Sequence, residues 1–362
     1  MAKKIRKDVG VWPGRKVGLG ERADLNLTVS KSYGGTPIRV PVHVWRGKRP
    51  GPSVFITAAV HGDEMNGTGT IRHLIQEHPF ELESGSLVLV PVVNILGFEQ
   101  LSRYSPDRRD LNRSFPGSKT GSLTSRLADV IFRNIVARCD YGIDLHTAAV
   151  RRTNYPNARA DMEQEATARL ATLFGAELLL NTPGPEGCLR RAAVKVGCAT
   201  MILEAGEVWK VEPAVVKYAL RGIRNVLVGL KMIEGEIRKP AFRVVAEETR
   251  WMRAETGGFL RFHVHPGDTV AKGQPLATNT SLAGKDLNTI VAPKDAIVLG
   301  MTTLPAVSPG DPVAHLAFPS ESALRKMERV IGKLPEDSLL ARLHDALATN
   351  VLVSELDEPE GG

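Results

Sequence analysis

The apolar run Ser53-Val-Phe-Ile-Thr-Ala-Ala-Val60 stops abruptly at His61-Gly-Asp-Glu64. That pattern predicts a buried strand whose end opens into polar chemistry. A second continuous apolar run, Leu87–Val93, suits a strand covered on both faces. Between the two, Ile71, Leu74 and Ile75 recur at helical spacing. Strand-like alternation in Asp24–Val29 and Ile38–Trp45, joined through Gly34 and Gly35, predicts a β-hairpin.

Further along, Leu127, Val130, Ile131, Ile135 and Val136 mark one face of a helix over Leu123–Arg138. It leads to a short strand, Asp140–Thr147, that again ends in a histidine, His146. Arg151–Asp161 reads as an arginine-rich polar loop. After it come a helix over 162–174, a strand over Glu177–Leu180, a helix over 187–197, a strand over 199–206 carrying Glu204 near its end, and an amphipathic helix over Lys217–Ile233. Strands alternating with helices predict an α/β fold with a mixed, partly parallel sheet flanked by helices.

Near residue 240 helical spacing stops. Residues 246–318 become short strands punctuated by glycine and proline, with Pro-Gly-Asp turns at 266–268 and 309–311. This texture predicts a smaller C-terminal all-β domain, a sandwich or barrel. The expected organisation is a basic N-terminal extension (1–23), a main domain (24–240), the β-domain (246–318) and a helical tail (321–362) whose acidic, glycine-ended stub frays.

Composition narrows the class of function. At 362 residues, 43% hydrophobic and 24% charged, the chain is of the soluble globular type and long enough for more than one core. The net charge of +7 is spread among acids, apart from Lys3, Lys4, Arg6 and Lys7. No clustered basic face or binding module points to nucleic acid, so the charge suits a surface that steers small anions. No run approaches the roughly 20 apolar residues of a membrane helix. Three unpaired-looking cysteines and the absence of an apolar leader make the cytoplasm the expected compartment.

The chemistry lies at the strand ends. His61 and Glu64 are ordinary zinc-ligand types, although His-x-x-Glu alone also fits an exposed helical turn. His146 ends a second strand, and an α/β sheet can bring the two ends to one point although His146 lies 82 positions after Glu64. Asp144 lies on the same side of its strand as His146 and either orients it or tethers backbone. Glu204 is either a surface end or a working residue, because burying a lone carboxylate is costly. The polar connection from Asn94 to Gly117 is longer than compact domains use without a purpose. His263 and His265 form a His-x-His pair with no third ligand nearby in sequence, and are expected to face solvent.

Taken in order, His61-Gly-Asp-Glu64, Asp110-Leu-Asn112-Arg113-x-Phe-Pro-Gly117, Asp144-Leu-His146-Thr147 and Leu203-Glu204-x-Gly206 closely resemble the succinylglutamate desuccinylase and aspartoacylase family. The resemblance spans roughly 24–318. It implies a zinc carboxypeptidase-like catalytic domain and a β-domain similar to a biotinyl/lipoyl carrier, here without the modifiable lysine. That β-domain is expected to shape the cleft or to make a contact in a homo-oligomer.

By the same resemblance one Zn2+ per chain is held by His61, Glu64 and His146, and Glu204 is the general base. Arg103 polarises the scissile carbonyl, and Asn112 with Arg113 grips a carboxylate of a small anionic substrate. Arg152, Asn154 and Arg159 contact the acyl group or brace their loop. The expected activity is hydrolysis of N-acyl amino acids or related acylated amines. A peptide-trimming carboxypeptidase and a non-catalytic binding protein are the alternatives. Asp63 has no assigned task.

Overall fold

The computed structural model describes residues 8–349 and 351; the basic cluster at 3–7 and the acidic stub after 351 lie outside the described residues. A short hairpin, β1 (Val11–Trp12) and β2 (Arg15–Lys16), precedes the long one, β3 (Arg22–Lys31) and β4 (Pro37–Arg46). Strand β5 (Arg49–Ala58) leads through α1 (Asn66–Glu77) to β6 (Ser84–Val90). From there α2 (Ile95–Glu99) and α3 (Leu123–Asn134) lead to β7 (Tyr141–His146). Next come β8 (Arg152–Ala160), α4 (Glu165–Phe174), β9 (Leu178–Asn181), α5 (Leu189–Lys195), β10 (Ala199–Glu207) and α6 (Pro213–Gly229).

The C-terminal region contains β11 (Val244–Ala246), β12 (Glu248–Arg253), β13 (Gly258–Phe262), β14 (Thr269–Val270) and β15 (Pro275–Thr280). It continues with β16 (Asp286–Val291), β17 (Ala296–Thr302), β18 (Ala306–Val307) and β19 (Pro312–Phe318). Helices α7 (Glu321–Ile331) and α8 (Leu339–Ala348) follow.

The central sheet runs β12-β19-β17-β8-β10-β7-β5-β6-β4-β3. Strands β6, β5, β7 and β10 are parallel, and their flanks pair antiparallel. The period of two sorts their side chains. Val54, Ile56, Leu87 and Leu89 pack on one face with Ile71 of α1, Phe174 of α4 and Ile223 of α6. Phe55, Val88 and Val90 pack on the other with Leu127 and Ile131 of α3 and Leu189 of α5. Fully burying each such side chain is worth about 1.5–3 kcal/mol. The α/β reading with a partly parallel sheet and an antiparallel C-terminal β region therefore holds. That region has a core of its own around Leu260, Leu276, Ile290 and Val313, while β17 hydrogen-bonds directly to β8.

One expectation is corrected. The segment 151–161, read as a polar loop, is strand β8, paired with β10, β17 and β9. Thr153, Asn154 and Asn157 are buried in it. Their polar groups are satisfied locally: Asn157 Nδ2 donates to the Tyr155 carbonyl (2.9 Å) and Asn154 Nδ2 to Glu204 (3.1 Å). A strand whose buried positions are polar carries no hydropathy signal, which is why the sequence pattern missed it. Among the described residues no helix is long and apolar enough to cross a membrane.

Candidate active site

The parallel register delivers the ligand-type residues. Ala58 of β5 pairs with Leu145 of β7, so the two strands end side by side. His61 follows the first strand and His146 closes the second. The turn after β5 is tight: a Cβ on Gly62 would lie 2.1 Å from the Gly97 carbonyl carbon, so only glycine lets the 97–98 backbone pack there. Glu64, whose amide donates to the His61 carbonyl (3.2 Å), turns its carboxylate between the two imidazoles. Its Oε1 is 2.6 Å from His61 Nδ1, and its Oε2 is 2.8 Å from His146 Nδ1.

Both rings are held from behind. His61 Nε2 meets Asp110 (3.2 Å), and His146 Nε2 meets Asp144 (2.8 Å), itself fixed by the Thr57 hydroxyl (2.7 Å). With each far nitrogen bound to a carboxylate, the near nitrogens are the ones turned toward a common point. That second layer is how metal-binding histidines are oriented. One donor atom from each of His61, Glu64 and His146 lies within 4.8 Å of the others, and all three residues are buried. A two-imidazole, one-carboxylate set with room for water suits catalytic zinc.

The electrostatics point the same way. Burial lowers the pKa of His146, but Asp144 and Glu64 outweigh it and hold the imidazole well above its usual value. His61 is likewise raised, its burial outweighed by Glu64 and Asp110. Burial would raise Glu64, yet the two histidines hold it far below the ordinary carboxylate range. The buried carboxylates of Glu64 and Asp144 and the half-buried one of Asp110, set against two imidazoles, form a cluster that favours an added positive charge. Asp63 is buried with one carboxylate oxygen unpartnered among the described residues, and burial together with Glu64 raises its pKa.

The cluster opens into a cleft of ≈ 290 Å³. Glu204 reaches it because β10 pairs with β7 so that Glu204 lies opposite His146. Its Oε2 accepts from Asn154, and Arg159 Nη1 is 3.7 Å from Oε1. Arg103 bridges the metal-side groups: Nη2 donates to Asp110 (3.0 Å), and Nη1 is 3.5 Å from Glu64. Asn112 and Arg113 line the cleft. Asn112 Oδ1 is engaged by the Leu189 amide at the start of α5 (2.9 Å), and Arg113 is exposed, donating to the Asn112 carbonyl (2.7 Å). Arg152 lies over the Trp251 ring, 4.8 Å from its centroid. Every residue to which the family resemblance gave a role thus lines this one cleft, while Asp144 backs His146.

Two residues had no role in the sequence reading. Asp110 orients His61 and Arg103; it lies inside the quoted Asp-Leu-Asn-Arg motif, which was the available signal. Arg190 also lines the cleft at the start of α5. It is 4% exposed, and its Nε and Nη1 have no hydrogen-bond partner among the described residues. Burial, reinforced by Arg159, pushes its pKa down to about 10. Its only sequence signal was position beside apolar Leu189 and Ala192. Arg103, Arg113, Arg152, Arg159 and Arg190 thus face a cleft in which Glu64 and Glu204 are the acidic lining residues. The cleft is therefore lined by more cationic than acidic side chains.

Residues 50–230 match the Succinylglutamate desuccinylase/Aspartoacylase catalytic domain. The chain is 28% identical to the N-alpha-acetyl-L-2,4-diaminobutyric acid deacetylase of Halomonas elongata, over 82% of its own length and 91% of the relative's. The product-bound ectoine utilization protein EutE (DoeB) of Ruegeria pomeroyi shares the fold, with a TM-score of 0.75 at 24% identity over 86% of this chain and 99% of that one. So does a succinylglutamate desuccinylase/aspartoacylase of Rhodobacter sphaeroides, with a TM-score of 0.70 at 24% identity over 83% and 96%. With half its length matched to that catalytic domain, the chain belongs to the succinylglutamate desuccinylase/aspartoacylase family.

Proposed function

We propose that the chain is a zinc-dependent deacylase, with one catalytic zinc, that hydrolyses the amide of N-acyl amino acids or related small acylated amines. The observation that carries this reading is the meeting of the His61, Glu64 and His146 donor set with Glu204 in one arginine-lined cleft. Zinc in that set supplies Lewis acidity and acidifies water.

The chain's own residues do the rest. Glu204, its carboxylate steadied by Asn154, takes the proton of the attacking water and delivers it to the leaving nitrogen. Arg103, fixed by Asp110, presents its guanidinium to the scissile carbonyl as negative charge develops there. An oxyanion donor of this kind is worth about 10²–10³ in rate. Arg190, buried with its Nε and Nη1 unpartnered among the described residues, receives a substrate carboxylate, with Arg113 at the mouth.

Trp251 and His315 from the C-terminal β region wall the cleft, and its small volume favours a small acylated amine over a peptide. The name of the Halomonas elongata relative makes N-acetylated diamino acids the first substrates to try. Purified protein assayed on acetyl-, succinyl- and aspartyl-type N-acyl amino acids, with zinc content measured alongside, tests the proposal. Release of free amine from at least one class, dependent on zinc, is the expected result. Zinc-loaded protein inert across the panel would remove the deacylase reading.

A further inference from the structure

Of the two histidines of the β region expected to face solvent, His263 is exposed and His265 is half-buried. His263 Nε2 bonds to the Thr278 hydroxyl (2.8 Å), whereas His265 turns to the tail helix. There His265, Asp268 and His344 bring one donor atom each to within 4.8 Å of one another. The first two stand on the turn between β13 and β14, and the third comes from α8, 76 residues further along.

The turn is well fixed. The His265 amide donates to Asp268 Oδ2 (2.7 Å), and the Asp268 carbonyl accepts from Val298 (2.9 Å). Gly267 takes a φ of +103° that other residues rarely adopt. Asp268 Oδ1 lies 2.8 Å from His344 Nε2. His265 Nδ1 is 3.7 Å from the same carboxylate, too far for a hydrogen bond, so this pre-positioned imidazole is poorly used by the ion pair alone. The two rings meet edge to face, 5.9 Å apart at 72°. The side chains are 29–37% exposed, which leaves room for water on one side.

We propose that His265, Asp268 and His344 form a second site for a divalent transition metal, apart from the catalytic cluster. Two imidazoles and a carboxylate on an open, water-accessible site suit zinc, cobalt or nickel rather than magnesium or calcium. Bound there, the ion cross-links α8 to the β region. Because α8 also packs on α6 and β8, the link holds the tail against the sheet that carries the active site.

The test is equilibrium dialysis of the full chain against zinc, with metal per chain measured in wild type, His265→Ala, His146→Ala and the double variant. The expected counts are two, one, one and none. His265→Ala is informative because it spares the Asp268–His344 ion pair. Melting temperature gives a second readout: zinc raises it in His146→Ala but not in the double variant. If His265→Ala retains the wild-type zinc count, or if zinc leaves the His146→Ala melting temperature unchanged, the second site is overturned. Loss of the equivalent in His265→Ala but none in His146→Ala would instead contradict the catalytic ligand set.

Discussion

Glu204 and His146 are register partners on the adjacent parallel strands β10 and β7. The pairing sets a carboxylate beside the His146 imidazole through backbone hydrogen bonds alone, with no long loop to order. Glu204→Gln keeps the shape and the Asn154 contact but cannot accept a proton. Its kcat is predicted to fall about 10²–10⁴-fold, the usual worth of a general base, with zinc binding unchanged. Steady-state kinetics on the best N-acyl substrate, with metal content measured on the same sample, checks this.

Arg190 is a buried cation whose Nε and Nη1 have no hydrogen-bond partner among the described residues. Arg190→Met is predicted to weaken capture of a carboxylate-bearing substrate by about 10- to 100-fold, from the ~1.5–3 kcal/mol of a charged hydrogen bond. The protein should lose no stability, since an uncompensated buried charge has been removed. KM together with a urea midpoint reads both. A raised KM accompanied by marked destabilisation would mean that Arg190 serves the fold rather than the substrate.

Asp144 locks the His146 ring through Nε2 and is itself locked by Thr57. Asp144→Asn is predicted to weaken zinc affinity by about 10- to 100-fold, as loss of a ligand-orienting carboxylate does. Competition against a chromogenic chelator, in the His265→Ala background, measures it. An unchanged affinity would reduce Asp144 to a backbone tether.

His315 stacks on Trp251, its register partner across β19 and β12, with centroids 4.6 Å apart. Burial, helped by Arg159 and Arg152, lowers its pKa to about 3. Unfolded, the same imidazole takes up its proton near pH 6.5. Between those values the unfolded chain binds a proton that the folded one does not, so this residue costs stability as pH falls from 6.5 toward 3. The loss approaches about 1.4 kcal/mol per pH unit. His315→Phe retains the stack and removes the titration, so between pH 7.5 and pH 5 its urea midpoint should fall less than the wild type's. Parallel declines would contradict the assignment.

The legible part of the fold followed from apolar period. Runs such as Val54–Val60 and Leu87–Val93 are buried on both faces, and the register of parallel strands then brings His61, His146 and Glu204 to one edge. Two kinds of feature stayed hidden. Strand β8 mixes Thr153, Asn154 and Asn157 with Tyr155, Ala158 and Ala160 at its buried positions, and the pairing of the polar ones depends on neighbours that hydropathy cannot see. Arg190 looks like any helical arginine until burial and the empty space about its guanidinium are known. The third partner of His265 was hidden for a related reason: His344 is far away in sequence, and only the docking of α8 brings it close.

The proposed function rests on metal-dependent hydrolysis at His61, Glu64 and His146. Its most direct test is hydrolysis of the best N-acyl amino acid by chelator-stripped protein titrated with zinc. Negligible activity at the start, recovery that saturates as zinc is added, and no recovery in His146→Ala are the expected results. Full activity in stripped protein, or full recovery in His146→Ala, would contradict the proposed function.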